Sequence, residues 1–492
     1  MKKFKQVWNG SLVRFVEYGL DSFIMIFSLM TAIQIHHSFA YGYLYGWDLI
    51  IGKFWHFYWP FLLVYVLVTL IVLKIYNATV INNTYKNAMV NTALALVFMN
   101  APLIIYNFWR YDNFIFEPWY LFVVVGIEIV VYAIYKRIFY KILVKYDRQY
   151  ALMVGPKEEI ELLASKYMLS KVPNRLIKYI YYTDEKTKID SSIYNLIDEV
   201  DSVYISENLD TKAKELILDY AAYKNFKEVY VVPRKMDVLL IDSVFETIDD
   251  SLVLHAKNMH LSIEMRFLKR TIDLIVSTIG LIVAAIPMIF VALIIKLQDG
   301  GPVFYKQERF KRYNQPFYIL KFRSMTHKQT KEQEQTLATR NDARITKFGK
   351  FIRATRLDEL PQLFNVFKGD MSLVGPRPYM KSVVDEAMEK NPDFLYRSNV
   401  KPGITGLSHI YGRYDTTSEE RLRYDLLYVR KCSLWLDIKI VFLTILVMFN
   451  KDAGLGRARE LTFNELLDLK QRELVKLNDC PNEVFEVLDK SK

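Results

Sequence analysis

The chain has 492 residues, enough for two to four domains at roughly 100–200 residues each, and is 52% hydrophobic and 15% aromatic. It carries 65 Lys and Arg against 54 Asp and Glu, a net charge of +11, which suggests a membrane protein with basic faces toward anionic headgroups or phosphates and no nucleic-acid partner. Cys432 and Cys480 lack metal-ligand spacing and are too few for a disulfide framework, so redox chemistry is excluded and a reducing compartment fits.

The N-terminal MKKFK is basic, but the apolar run behind it is interrupted by Glu17 and Asp21 and lacks a small-residue cleavage site, so it is expected to be retained. Four apolar segments follow, at residues 15–35, 54–73, 88–108 and 119–135, each near the ~20 residues that span a bilayer. The flanks KFWHFYWP and NFWRYDNFIFEPWY supply the Trp and Tyr favoured at the headgroup boundary. Lys2, Lys3, Lys5, Arg14, Lys74, Lys86, Lys136, Arg137, Lys141, Lys145 and Arg148 fall on one side, whereas the opposite loops hold only Lys53 and Arg110. Residues 1–147 are therefore expected to form a four-helix transmembrane bundle with both ends in the cytoplasm.

From residue 148 the pattern changes to the short apolar runs YALMVG, KYIYYT, SVYIS and EVYVVP, separated by charged segments that suit helices at 157–169 and 211–223. Such alternation predicts a parallel sheet with crossover helices. Its first turn, MVGPKEE, has one glycine where a pyrophosphate-binding loop needs three, so residues 148–262 read as a degenerate Rossmann-like α/β domain without a dinucleotide.

The third region, residues 263–470, opens with MRFLKRTIDLIVSTIGLIVAAIPMIFVALIIKLQD, apolar from 272 to 295. Bases flank both ends, and Pro287 lies mid-run. Two arrangements fit: a helix bent at Pro287 that returns to the face it entered, and a kinked fifth span. The charged residues after Lys451, with the tail at 471–492, read as a solvated helical extension.

Asp358 and Glu359 stand side by side in TRLDELPQLFNVFKGDMSLVGPRP, preceded by Arg344, Lys347, Lys350, Arg353 and Arg356 and followed by Lys368 and Arg377. Guanidinium forks beside carboxylates suit a phosphorylated substrate, with a carboxylate attacking phosphorus or holding a divalent metal. A basic face resting on anionic lipid suits the same residues equally well. The prolines of GPRP, residues 375–378, restrict the backbone around Arg377.

The series KRTIDLIVSTIGLIVAAIPM, GGPVFYKQERF, FYILKFRSM, DARITKFGKFIRATRLDELPQLFNVFKGDMSLVGPRP, KPGITGLSHIYGR and YDLLYVRKCSLWLDIKIVFLTI resembles the bacterial polyprenyl-phosphate sugar-1-phosphate transferases over about residues 266–449. The first 265 residues look like those of extended members, which precede the catalytic unit with a membrane bundle and a Rossmann-like domain. The resemblance implies a multi-pass bacterial inner-membrane enzyme with a cytoplasmic catalytic domain that initiates capsule, exopolysaccharide or O-antigen repeat units; the membrane bundle and middle domain offer surface for a homodimer. It would pass sugar-1-phosphate from a UDP-sugar to undecaprenyl phosphate with loss of UMP. By this matching Asp358 is the nucleophile and Glu359 its partner, the two holding Mg²⁺. Arg353, Arg377, Lys321 and Arg323 would line the phosphate and nucleotide site. Pro287 would break a re-entrant helix at 270–296, and the stretch 434–449 would lie along the lipid interface with Lys439 reaching headgroups. Ile286, Arg356, His409 and the glycine-poor QERFKRYNQPF depart from the usual pattern. The alternatives are a UDP-releasing glycosyltransferase and a non-catalytic membrane scaffold.

Overall fold

The computed structural model describes residues 10–41, 59–80, 83–109, 118–146, 148–169, 175–183, 189–224, 227–256, 259–326, 344–412, 416–449, 462–477 and 483–490. They divide into two units, Met1–Arg234 with Ala458–Lys492, and Lys235–Arg457.

The first unit begins with helices α1 (Gly10–Tyr41), α2 (Trp59–Ile75), α3 (Tyr85–Trp109) and α4 (Pro118–Tyr146). Their interior combines apolar clusters, such as Met25 with Leu96 and Tyr132, with buried polar groups. Lys136 is fully buried, 3.1 Å from Glu17 and 3.5 Å from Asp21, and donates to the Ala78 carbonyl at 3.0 Å. In a second buried layer Ser28 and Asn100 donate to Glu128 at 2.9 and 3.4 Å. Phe15, Phe23, Phe27, Val64, Leu67, Ile71, Ile134 and Ile138 face outward instead. A helix bundle in water places its apolar stripe inside; charges satisfied within and apolar faces without suit a hydrocarbon surrounding. Lys136, expected among the loop bases, is corrected to a bundle-core residue, because α4 continues past Tyr135 to Tyr146.

The same unit then alternates β1 (Gln149–Gly155), α5 (Lys157–Met168), β2 (Arg175–Tyr182), α6 (Ser192–Asp198), β3 (Ser202–Ile205), α7 (Thr211–Leu218) and β4 (Glu228–Val231). β1 lies parallel between β2 and β3, and β4 runs parallel to β3. Period-two alternation divides β1 between two cores. Leu152 and Val154 pack with Ile193, Ile197 and Ile217 on one face, and Met153 packs with Ile160, Ala164 and Leu466 on the other.

The C-terminal residues correct an expectation. Strands Arg472–Lys476 and Glu483–Asp489 form an antiparallel hairpin whose second strand pairs with β2, completing a six-stranded sheet. Val484 and Val487 are buried in this sheet's cores, so the tail is a sheet edge and not a solvated helix. The helix Phe463–Leu469 before it, closed by a Thr462/Glu465 capping box, also belongs to the first unit.

Gly155 has φ +151°, and a Cβ there would lie 2.0 Å from Ser206 Oγ. Its glycine is thus explained by close packing. The first turn of α5 carries Glu158 and Glu159, and Glu159 already accepts the Asn208 N–H at 3.3 Å. A pyrophosphate approaching that helix end would meet carboxylates. Saturating NAD or NADP should therefore leave the melting temperature of the purified chain unchanged; a saturable rise would contradict this reading.

The second unit starts with α8 (Lys235–Leu239) and the hairpin β5 (Val244–Ile248) and β6 (Ser251–His255), so the expected boundary at residue 262 moves to 234. Helix α9 (Ile263–Asp299) has 37 residues, and Ile263–Gln298 is the stretch among the described residues long and apolar enough to cross a membrane. The buried residues fall three, four or seven apart, on one helix face: Lys269, Asp273, Ser277, Ala284, Met288, Val291 and Ile295. The opposite face exposes Ile275, Ile279, Ile282, Ile286, Phe290 and Leu293. Pro287 was expected to break this helix. It lies exposed within one uninterrupted helix instead, and the buried stripe of Ala284, Met288 and Val291 continues past it.

Candidate active site

Two antiparallel strands, β7 (Phe304–Phe310) and β8 (Pro316–Phe322), present Lys321. Next come α10 (Lys347–Ala354), a 3₁₀ turn at Leu357–Glu359 and α11 (Gln362–Lys368). Gly349 lets α10 cross the end of β8 closely, since a Cβ there would lie 1.9 Å from the Ser324 carbonyl oxygen. This crossing brings Arg353 Nε to 2.7 Å from Ser324 Oγ. Asn365 clamps α11 to β8, accepting from Leu320 N–H at 2.9 Å and donating to Tyr318 C=O at 2.8 Å. Leu357 and Leu360 pack into the core formed by Ala284, Met288, Phe322 and Ile352. The turn between them carries Asp358 and Glu359, and Arg356 before it adopts φ 59°, a left-handed conformation sparsely populated outside glycine.

The remaining arginine arrives on a different support. Strands β9 (Ser372–Val374) and β10 (Gly403–Thr405) run parallel. Gly375 N–H donates to Thr405 C=O at 2.8 Å and Gly403 N–H to Pro376 C=O at 3.0 Å. A Cβ on Gly375 would lie 2.2 Å from the Lys401 carbonyl oxygen, and one on Gly403 would lie 2.0 Å from Gly375 N. GPRP and KPGITG therefore interlock through backbone contact that only glycine permits. Arg377 extends from this junction to His409, Nη1 to Nε2 at 3.3 Å.

The surroundings divide the two carboxylates. Glu359 lies 3.0 Å from Lys321 Nζ and 4.0 Å from Arg356 Nη1. Burial alone would push its acidity down, but Lys321, Arg377 and Arg356 outweigh it and bring the pKa to about 2. Asp358 is 9% exposed, and its Oδ1 is buried without a hydrogen-bond partner. Burial and then the Glu359 charge hold its pKa above the usual value against Lys321, Arg353 and Arg356. His409 is pushed down to about 3 by burial and by Arg377, so the ring is neutral. Because its Nε2 accepts from Arg377, its proton resides on Nδ1.

The structure brings Asp358, Glu359, Lys321, Arg353 and Arg377 near one another. Arg323, just past the end of β8, donates to the Ile295 carbonyl at 3.4 Å. Arg309 is a further guanidinium beside Arg377, its pKa lowered to about 10 by burial and by that neighbouring charge. Its place in QERF, alternating with Gln307 on β7, was the available signal. Asn365 carried no such signal, since its role is a clamp across the chain.

Among the described residues no group of three His, Cys, Asp or Glu gathers as a metal cage. The Asp358/Glu359 pair with an uncommitted Asp358 oxygen nevertheless fits Mg²⁺, which commonly takes one or two carboxylates and completes its shell with waters and substrate phosphates.

Adjacent carboxylates, one buried with an unpartnered oxygen and one salt-bridged, among lysine and arginine cations suit phosphoryl chemistry. Residues 264–451 match the bacterial sugar transferase family. The chain is 44% identical over 191 residues to a UDP-glucose:undecaprenyl-phosphate glucose-1-phosphate transferase of Klebsiella pneumoniae, covering 38% of this chain and 41% of that protein. It is 39% identical over 244 residues to an undecaprenyl-phosphate galactose phosphotransferase of Salmonella typhimurium, covering 46% and 50%. A UDP-N-acetylgalactosamine-undecaprenyl-phosphate N-acetylgalactosaminephosphotransferase of Aeromonas hydrophila is 41% identical over 182 residues, covering 36% and 43%. The chain spans about half the length of the curated relatives it matches.

The two carboxylates should respond oppositely to pH. Glu359, held from 4.5 down to about 2, adds stability that is fully present above 4.5 and is lost as pH falls toward 2. Asp358, held above 3.8, favours the fold when protonated and weakens it when ionised. Asp358→Asn should accordingly raise stability at neutral pH, on the order of 1 kcal/mol, whereas Glu359→Gln should lower it and flatten the acid-side loss. Thermal unfolding across pH checks both; an Asp358→Asn variant much less stable than wild type would contradict the assignment.

Proposed function

We propose that this chain transfers sugar-1-phosphate from a UDP-sugar to undecaprenyl phosphate and releases UMP, opening the assembly of a cell-surface polysaccharide repeat unit. The observation that carries this is the buried Asp358 oxygen without a protein partner, beside the Lys321-bound Glu359. The activities named for the three relatives support the substrate class, and their differing sugars leave the donor as a UDP-sugar.

In the first step an Asp358 oxygen attacks the β-phosphorus, the bond from that phosphorus to the bridging oxygen breaks, and UMP leaves with the electron pair. The sugar phosphate is now an acyl phosphate on Asp358. In the second step an oxygen of undecaprenyl phosphate attacks the same phosphorus, and the carboxylate leaves. Arg353 and Arg377 hold phosphate oxygens through their forks, and Lys321 keeps Glu359 ionised and oriented. Mg²⁺, held by Asp358 and Glu359, would neutralise pyrophosphate charge. Incubated with UDP-sugar and Mg²⁺ but no lipid phosphate, the protein should gain one sugar-phosphate mass and release UMP. Asp358→Asn should do neither and should lose several orders of magnitude in rate. Transfer that occurs only with both substrates present would count against the covalent step.

The site would work at the cytoplasmic face of the bacterial inner membrane. The buried ion pair and the exposed apolar residues of α1–α4 support a transmembrane bundle, and α9, held along its buried stripe, supports a helix laid in one leaflet with both ends on the cytoplasmic side. Single cysteines at Glu264 and at Gln298, both exposed ends of α9, placed in a background without Cys432 and Cys480, should both resist an impermeant label added outside intact cells. Labelling of the Gln298 site alone would show that α9 crosses.

A further inference from the structure

Arg377 is the one site cation carried by a loop between two prolines, and Pro378 leaves no N–H there to fasten it. Its carbonyl accepts instead from Arg397 Nη2 at 2.6 Å. Arg397 is 7% exposed and packs against two aromatic rings, its guanidinium carbon 4.2 Å from the Tyr379 centroid and 4.8 Å from that of Phe394. The same guanidinium meets Asp425, 2% exposed, through Nη2 at 2.8 Å and Nε at 3.0 Å. Asp425 stands on the helix Ser418–Lys431. It also accepts a hydrogen bond from the Ser408 side chain. Ser408 precedes His409 on the short helix Leu407–Ile410, and His409 Nε2 meets the Arg377 guanidinium.

The connections close a ring. From Asp425 one arm runs through Arg397 to the Arg377 carbonyl, and the other runs through Ser408 and His409 to the Arg377 guanidinium. We propose that Asp425, with Arg397 and Ser408, is a positioning centre that holds both the backbone and the side-chain end of Arg377 toward the phosphate site, a role that rests on the function proposed above. The arrangement separates charge from geometry. Lysine at 397 could still pair with Asp425, but it lacks the planar fork that serves Asp425 and the Arg377 carbonyl together and that packs against the Tyr379 and Phe394 rings.

The test is a double-mutant cycle on the full-length chain in detergent, with UDP as the probe and UDP-sugar turnover alongside. Arg397→Lys should weaken UDP binding about tenfold, and in an Arg377→Ala background the same change should add about twofold or less, because the group it positions is gone. The melting temperature should stay close to that of wild type. A merely structural role predicts the same loss in both backgrounds, and that result, or wild-type affinity in Arg397→Lys, overturns the proposal. If Arg397→Lys does not fold, Tyr379→Leu removes one stacking face while leaving Asp425 paired and should show the same dependence on Arg377; its absence overturns the proposal equally. A wild-type chain that binds no UDP and turns over no UDP-sugar overturns the proposed function and this role with it, whereas normal turnover with an additive cycle overturns this role alone.

Discussion

Consecutive carboxylates repel each other, and the second unit holds this pair by giving each a different environment. Glu359 is paired with Lys321 and stays ionised, while Asp358 is buried with one oxygen uncommitted. An uncommitted buried carboxylate is costly wherever it occurs. It persists here because Leu357 and Leu360 anchor the turn on either side of it and because cations come from three separate elements: Lys321 from β8, Arg353 from α10 and Arg377 from the β9–β10 junction. The left-handed Arg356 immediately before the turn is a second local cost at the same place.

Helix α9 is the common support beneath these elements. Asp273 accepts from both Ser372 Oγ and Leu373 N–H at 3.0 Å, which fixes the start of the Arg377 strand. Arg270 donates to the Val366 and Phe367 carbonyls at 2.7 Å, satisfying the end of α11. Farther along, Ala284, Met288, Val291 and Ile295 form the floor under the carboxylate turn. One face of the helix thus organises the site while the other stays apolar and exposed. An exposed apolar face and the support beneath the candidate site thus lie on opposite sides of the same 37-residue helix.

Much of this was legible in the residues. The four strands β1–β4 follow from short β-branched and aromatic runs, and the Asp358/Glu359 cluster follows from carboxylates amid arginines. What escaped depended on contacts between distant segments. Charge density in the last forty residues concealed a hairpin whose Val484 and Val487 complete a sheet begun more than 300 residues earlier. The proline signal at 287 was real chemistry, but tertiary packing along the opposite face decided the outcome. Arg397 and Asp425 were indistinguishable from surface charges until the fold buried them together. Gly155 looked like a remnant of a nucleotide loop, and close approach to Ser206 accounts for it.

The central claim is that a sugar phosphate resides on Asp358 between two displacements. Isotopically labelled UMP, added with unlabelled UDP-sugar and Mg²⁺ in the absence of any polyprenyl phosphate, tests it most directly. A reversible covalent step predicts that label enters UDP-sugar with wild-type protein and not with Asp358→Asn. Wild-type protein that turns over when lipid phosphate is supplied, yet exchanges no label without it, would contradict the account.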